Sequence, residues 1–122
     1  MQAALETRDP EVMVDACHPD VEWHTLWPGL RSVYRGHDGI REWGYAFLEV
    51  FDDPGQELLD VVELEGDRVF LHTRVFGKGR GSGTPTEMHV YDIWTFKDGL
   101  LFHRQPYYER ELAEKAAGLK AR

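Results

Sequence analysis

Apolar and polar residues follow a helical period in the first half of this chain. Asp9-Pro10-Glu11 supplies a helix N-cap, a proline at the first helical position and an acidic first turn. A second, longer helix is predicted from about Asp38, and Asp52-Asp53-Pro54-Gly55 ends it. The apolar residues that share a face in the first helix are Val12, Met13, Ala16 and Cys17, and those in the second are Ile40, Trp43, Phe47, Leu48 and Phe51.

The period then changes to that of half-buried strands. Between the two helices, Val21, Trp23 and Thr25 alternate with Glu22 and His24, which predicts one strand. Tight turns between the later strands predict an antiparallel meander, followed by an amphipathic helix that ends before Gly118. Helices first and sheet later is typical of an α+β domain with its helices on one face. The later elements are strands at 57–64, 69–77, 86–96 and 100–108 and a helix from Glu109 to Ala117.

The hairpin VYDIWTFKDGLLF, Val90 to Phe102, contains two acidic residues of different meaning. Asp98 belongs to an Asp-Gly turn, a strong hairpin signal in which Gly99 takes a positive φ. Asp92 lies inside the strand, where a carboxylate is disfavoured and, if buried, must be paired, hydrogen-bonded or neutralised. We interpret Asp92 either as a member of a structural ion pair or as a functional group.

Composition restricts the classes of partner. The chain has 122 residues, which predicts one domain over residues 1–122, and 14 Lys and Arg against 22 Asp and Glu give a net charge of -8. This charge opposes nucleic acid and anionic membrane surfaces, and no run of apolar residues is long enough to span a bilayer. The single Cys17 is expected to be a small buried hydrophobe rather than part of a disulfide, which fits a cytoplasmic location.

Both faces of the strand Met88 to Phe96 are largely apolar. One face must lie against the helices, and in a monomer the other would form an exposed apolar patch. We therefore expect a homodimer joined through the outer face of the sheet.

Several motifs together resemble the SnoaL-like branch of the nuclear transport factor 2-like superfamily. The motifs are HPDVEW, YRGHDGIREW, GRGSGTP, IWTFKDGLLF and YYERELAEKAAGL, and they extend over nearly the whole chain. The resemblance implies a cone-shaped α+β barrel, in which a curved, mostly antiparallel sheet wraps around N-terminal helices, with a short C-terminal helix and a deep apolar pocket. Members include polyketide cyclases, ketosteroid isomerases, epoxide hydrolases and dehydratases, so the fold does not determine the chemistry.

The resemblance also implies positions for site residues. Asp92 corresponds to the aspartic acid of ketosteroid isomerases that donates a hydrogen bond to the substrate oxyanion. The base of those enzymes falls at Thr25 and their oxyanion tyrosine near Met1, so that activity is improbable. The aspartate that completes the water-activating triad of the superfamily's epoxide hydrolases falls at Pro106, which makes that chemistry improbable too.

Comparison with the family assigns the Phe70, His72, Arg74 and Phe76 face of one strand to the interior, so that His72 and Arg74 join Asp92. We expect these three to be the catalytic residues, with an internal ion-pair network as the alternative. For the aromatic residues among the expected ligand-binding set, ordinary core packing is the alternative to ligand contact. The expected ligand-binding residues are Trp23, Thr25, Trp27, Trp43, Phe47, Phe76, Val90, Trp94, Arg104 and Tyr108.

Metal and cofactor binding are not expected. The glycine-rich GKGRGSG lacks the order of a P-loop, and the histidines lack the spacing of known metal motifs. His24, His89 and His103 are assigned to the outer face, at a dimer interface or in solvent.

Two functions follow from these expectations. The first is a protein that binds a small lipophilic molecule, with cofactor-free isomerisation, cyclisation or dehydration by acid-base chemistry if it is an enzyme. The second is a non-catalytic domain that sequesters a ligand or serves as a dimeric scaffold.

Overall fold

The computed structural model describes residues 10–26, 31–79 and 81–119. Its helices are α1 (Pro10–Asp15), α2 (Gly36–Val50) and α3 (Arg110–Ala117). Its strands are β1 (Cys17–His24), β2 (Val33–Arg35), β3 (Phe51–Leu64), β4 (Arg68–Gly79), β5 (Pro85–Lys97) and β6 (Leu100–Tyr107). None of the helices in these ranges is long and apolar enough to cross a bilayer.

All six strands form one curved, unclosed sheet in the order β2-β1-β6-β5-β4-β3. The pairing of β1 with β6 is parallel, and the other pairs are antiparallel. The predicted meander from β3 to β6 and the α+β class are therefore confirmed. The predicted Asp-Gly hairpin is present as well, with φ of 54° at Asp98 and 78° at Gly99.

One face of the sheet lies against α1 and α2, and we call it the inner face. Leu71 and Trp94 of the sheet pack there with Met13 and Val14 of α1 and Ile40 of α2. Burial of these apolar side chains is the main stabilising contribution on this side.

The opposite, outer face is partly covered by α3. Ala113 and Ala117 pack against Phe70 and Ile93, which alternate with inner-face residues along their strands. The expectation that all helices lie on one face is therefore wrong. Because α3 covers Ile93, less apolar surface is left for the expected dimer interface, and the homodimer stays a prediction.

The main differences from the sequence expectation are two helix ends, one missed strand and the start of β3, which was predicted at 57 and lies at Phe51. The first helix ends at Asp15, and Cys17 begins β1, where it pairs with Leu101. The short strand β2 was not predicted. The second helix ends at Val50, because Phe51 pairs with Gly79 at the start of β3. In each case strand pairing with a distant segment overrides the local apolar pattern.

Candidate functional site

Asp92 lies on the inner face of β5, where its charge is paired with a residue of β6. Its Oδ1 is 3.0 Å from Nη2 of Arg104, and both side chains are almost completely buried. The register explains the contact, because Asp92 lies opposite Pro106 and Trp94 opposite Arg104, which places all four on one face. The approach has the distance of an ion pair without the alignment of a hydrogen bond, so the carboxylate keeps acceptor capacity for another group.

Burial raises the pKa of Asp92, because removal from water disfavours the carboxylate. The positive charge of Arg104 acts in the opposite direction, as do the N–H groups of Arg104 and Trp94 that lie beside the carboxylate. Desolvation is the larger effect, so the Asp92 pKa lies above its ordinary value. A carboxyl group in this environment can hold or release a proton closer to neutral pH than an exposed aspartic acid.

Aromatic rings surround the pair. The guanidinium of Arg104 lies over the Trp23 ring at 4.4 Å, and its Nη1 donates a hydrogen bond of 2.9 Å to the carbonyl oxygen of His24. Trp23 contacts Trp43 at 4.6 Å between centroids and Trp94 at 6.0 Å, and Phe47 stacks on Trp43 at 5.6 Å. The charges thus lie within a mainly aromatic environment of low dielectric, where polar interactions are strong.

Several buried donors on this face lack acceptors. Among the described residues, none lies in hydrogen-bonding geometry for Nε1 of Trp23 or Nε of Arg104, and Nε1 of Trp94 has only the nearby Asp92 carboxylate, without that geometry. Nearly all buried polar groups in folded proteins are hydrogen-bonded, so the unsatisfied donors of Trp23 and Arg104 require an explanation. A bound molecule with acceptor oxygens would satisfy them.

Three other expected ligand-binding residues lie on the inner face. Val90 and Thr25 are buried, but the Thr25 hydroxyl donates to the carbonyl oxygen of Arg31 at 2.7 Å. Tyr108 is 43% exposed, and Arg104 and Asp92 both influence its pKa, which burial raises. Tyr108 is therefore a partly exposed polar group close enough to the buried pair to be influenced by its charges.

The expected convergence of His72 and Arg74 with Asp92 is wrong. In the register of β4 and β5, Leu71 lies opposite Asp92, whereas His72 lies opposite Tyr91. Opposite residues of an antiparallel pair share a face, so His72, Arg74 and Phe76 lie on the outer face. Phe76 accordingly stacks with the Arg74 guanidinium at 4.3 Å and does not line the inner face.

His72 instead belongs to a polar cluster beside α3. Its Nε2 lies 2.8 Å from Nδ1 of His89, and its Nδ1 lies 3.2 Å from Nη1 of Arg110, which also pairs with Asp60 at 3.4 Å. Burial lowers the His72 pKa, and the charge of Arg110 lowers it further. These contacts tie α3 to the sheet.

Of the other predicted positions, some lie within the described residues and some lie outside them. His24, His89 and His103 lie on the outer face, as expected, since their neighbours in sequence face the inner side. Trp27 and the position near Met1 lie outside the described residues. Arg104 was predicted on the inner face, but its ion pair with Asp92 was not predicted. The signal that could have indicated it is the alternation of Arg104, Pro106 and Tyr108, which places all three on the same face as Asp92.

Comparisons with known proteins agree with this architecture. The profile of the SnoaL-like domain matches residues 1–104. A comparison with functionally curated proteins gave no significant match.

Many solved structures share the fold, and three illustrate its range. A hypothetical protein with a ketosteroid isomerase-like fold from Catenulispora acidiphila, in complex with trimethylamine, has 17% identity and a TM-score of 0.77 over 97% of this chain and 88% of its own. TerC, co-crystallised with polyporic acid, has 26% identity and a TM-score of 0.72 over 94% and 89%. A putative polyketide cyclase from Bacillus cereus has 20% identity and a TM-score of 0.69 over 98% and 76%.

Proposed function

Because the chain belongs to the SnoaL-like domain family, we propose that its inner face binds a small lipophilic molecule with acceptor oxygens. The observation that carries this proposal is the buried pair of Asp92 and Arg104 beside the unsatisfied N–H donors of Trp23 and Arg104. A carbonyl, enol or phenol oxygen suits these donors, and aromatic rings suit the surrounding indoles.

The cost of this arrangement supports a functional role. Burying an ion pair removes two charges from water, and apolar residues of similar volume often stabilise a core as well or better. Each unsatisfied buried donor adds a further desolvation cost. A bound molecule would offset both costs, which is why buried polar groups without partners often mark binding sites.

Relatives of the same fold bind small organic molecules. TerC was co-crystallised with polyporic acid, and the Catenulispora acidiphila protein was obtained with trimethylamine. A putative polyketide cyclase is also among the structural neighbours. These structures support a small organic ligand in general, whereas the acceptor oxygens of the proposed ligand are inferred from the residues of this chain alone.

If the protein is an enzyme, we propose cofactor-free isomerisation, cyclisation or dehydration. Asp92 would transfer a proton, because its raised pKa brings it closer to neutrality. Arg104, with the unsatisfied indole N–H of Trp23, would stabilise negative charge that develops on a substrate oxygen. His72 and Arg74 take no part in this proposal, because they lie on the outer face.

The alternative is a non-catalytic domain that sequesters a ligand or serves as a dimeric scaffold. The hydroxyl of Thr25, at the position where the family's isomerases have a base, is already bonded to a backbone carbonyl, which favours this alternative. Homodimerisation through the outer face is tested by sedimentation equilibrium.

The proposal is tested by isothermal titration calorimetry with lipophilic phenols, ketones and quinones of one to four rings. Each is paired with the hydrocarbon of the same ring system, which lacks the oxygen. We expect saturable binding that requires the oxygen and that Asp92→Asn weakens by about tenfold or more, equivalent to one lost polar contact of about 1.4 kcal/mol. Turnover of the best ligand would then distinguish an enzyme from a sequestering protein.

Arg74→Gln is the matched control, because it removes a charge from the same sheet on the opposite face. It should leave the affinity unchanged, and circular dichroism should show that each variant is folded. Equal binding of phenols and their parent hydrocarbons, or no binding at all, would contradict the proposal and favour the scaffold.

A further inference from the structure

The outer face of β1 and β6 carries two imidazoles and a carboxylate in one group. We propose that Glu22, His24 and His103 form a binding site for one divalent transition-metal ion of the zinc class. Among the described residues, this is the only group of three or more metal-ligating side chains whose ligand atoms lie within 4.8 Å of one another.

Strand geometry brings the three together. Glu22 and His24 are two residues apart on β1, so their side chains share a face. His103 on the parallel neighbour β6 lies directly beside Glu22 in the register. Two ligands from one strand and one from the next, on central strands of a continuous sheet, are positioned more precisely than ligands on loops.

The distances are close to those of a metal site. The Nε2 of His24 lies 3.1 Å from Oε1 of Glu22, and the imidazoles of His24 and His103 have centroids 4.6 Å apart. Ligands about 2.0–2.1 Å from a tetrahedral Zn²⁺ are separated by about 3.3 Å. The three ligand atoms lie within 4.8 Å of one another, so small side-chain rotations would bring them to the separation that a tetrahedral ion requires.

The ligand set and its environment favour zinc-class ions. Two imidazoles with one carboxylate suit Zn²⁺, Cu²⁺ or Ni²⁺ better than Mg²⁺ or Ca²⁺, which prefer oxygen ligands alone. The three residues are half-buried, so an ion can enter from solvent. Arg35 lies opposite Glu22 on β2, but its exposed side chain can extend into water. Three protein ligands leave a coordination position for water or another molecule.

The second close histidine pair of this face fits a cation poorly. His72 and His89 approach to 2.8 Å, but no third metal-ligating side chain of the described residues brings its ligand atom within 4.8 Å of both, and the guanidinium of Arg110 lies 3.2 Å from His72. This pair therefore provides a control with imidazoles of similar spacing.

The same strands connect this group with the inner face. Trp23 lies between Glu22 and His24 in sequence and Arg104 follows His103, but both point to the opposite side, where they stack. An ion held by β1 and β6 would fix the relative position of the strands that carry these two residues. We therefore expect metal binding to alter the tryptophan fluorescence as well as to stabilise the fold.

The test is isothermal titration of the untagged, EDTA-treated full chain with ZnCl2, followed by Co²⁺ absorption spectroscopy. We expect one Zn²⁺ per chain and the visible absorption of a low-symmetry Co²⁺ site. His24→Gln and His103→Gln should each weaken Zn²⁺ binding by at least about tenfold, since each removes a ligand. The isosteric Glu22→Gln should weaken it too, and His89→Gln should not.

Circular dichroism of each variant separates loss of a metal ligand from unfolding. If all three ligand variants are folded and bind Zn²⁺ more weakly, misfolding does not explain the result. The proposal is overturned if the wild type binds no Zn²⁺, if the folded His24→Gln and His103→Gln variants retain its affinity, or if only His89→Gln abolishes binding.

Discussion

Asp92 and Arg104 form a buried ion pair across adjacent strands, with 3.0 Å between Oδ1 and Nη2. Neither side chain reaches bulk water to an appreciable extent, so each charge depends on the other. The pair therefore links the stability of the sheet to any function of its inner face. A loss of activity in a variant of either residue has meaning only when the stability of that variant is known.

The first prediction concerns this mutual dependence. Asp92→Asn should lower the free energy of unfolding by about 3–5 kcal/mol, because it leaves the Arg104 charge buried without its partner. Asp92→Leu combined with Arg104→Met should recover most of that loss, since both charges are then absent. Urea denaturation measures each value, and a cycle of the wild type, Asp92→Leu, Arg104→Met and the double variant gives the coupling energy. If Asp92→Asn and the double variant were both as stable as the wild type, Asp92 and Arg104 would not be energetically coupled.

The second prediction concerns pH. The His72 pKa is lowered in the folded protein from an ordinary value of 6.5, so the unfolded chain binds the proton more tightly. The stability contributed by neutral His72 is present above pH 6.5 and is lost as the pH falls below that value through the folded pKa. Urea denaturation at about pH 7.5 and pH 5.5 should show this decrease for the wild type.

His72→Gln should reduce the pH dependence of unfolding, because it removes the titrating group beside Arg110 and His89. His18→Gln is the matched control on another part of the sheet, where His18 accepts a bond from the backbone N–H of Asp20. If the pH dependence of the unfolding free energy were unchanged in His72→Gln, groups other than His72 would cause the loss of stability at low pH.

The third prediction concerns Cys17, whose thiol is buried as the sequence indicated. Burial raises its pKa from 9.0 to about 12, which lowers the thiolate fraction by about a thousandfold. Ellman's reagent at about pH 8 should therefore label the native protein far more slowly than the unfolded protein in guanidinium chloride. Complete labelling of the native protein within minutes would contradict this burial.

The fourth prediction concerns the contact between α1 and α2. A Cβ at Gly44 would lie 2.8 Å from Cβ of Pro10 and 2.9 Å from its Cγ. Glycine to alanine within a helix normally stabilises by about 0.5–1 kcal/mol, but here the contact should make Gly44→Ala destabilising by about 1–3 kcal/mol. Thermal unfolding measures the difference.

Pro10→Gly removes the side-chain atoms that Gly44→Ala would meet. In that background the alanine should become neutral or stabilising. A destabilisation of the same size in both backgrounds would mean that the close approach of the helices is not its cause.

Much of the fold could be predicted because its signals are local. The Asp98-Gly99 hairpin, the strand periodicity from β3 to β6 and the Gly118 terminus of α3 each depend on neighbouring residues, and the structure confirms them. Gly118 has φ of 78°, and its N–H bonds to carbonyl oxygens of the last turn. The short β2 had no comparable local signal, since three residues form a strand only by pairing with β1.

The site was predicted in part, because the face of a strand is not a local property. On β5, Asp92 was placed correctly, and on β6 so was Arg104. On β4, both alternating sets contain apolar and polar residues, so the pattern did not distinguish the faces, and an error of one residue moved His72 and Arg74 to the wrong side. His24 and His103 were placed on the outer face individually, but their proximity to each other and to Glu22 depends on the parallel register of β1 with β6, which no sequence motif specifies.

The alternation of Glu22, Trp23 and His24 along β1 gives this strand an unusual intolerance to insertion or deletion. Successive side chains of β1 point to opposite faces of the sheet. A single added or lost residue would therefore turn the indole to the outer face and a carboxylate or an imidazole to the inner face. Substitutions can alter one side of the sheet alone, whereas a change of length cannot. Engineering of this domain by loop grafting should therefore keep the spacing of β1 fixed and place new segments outside the strand.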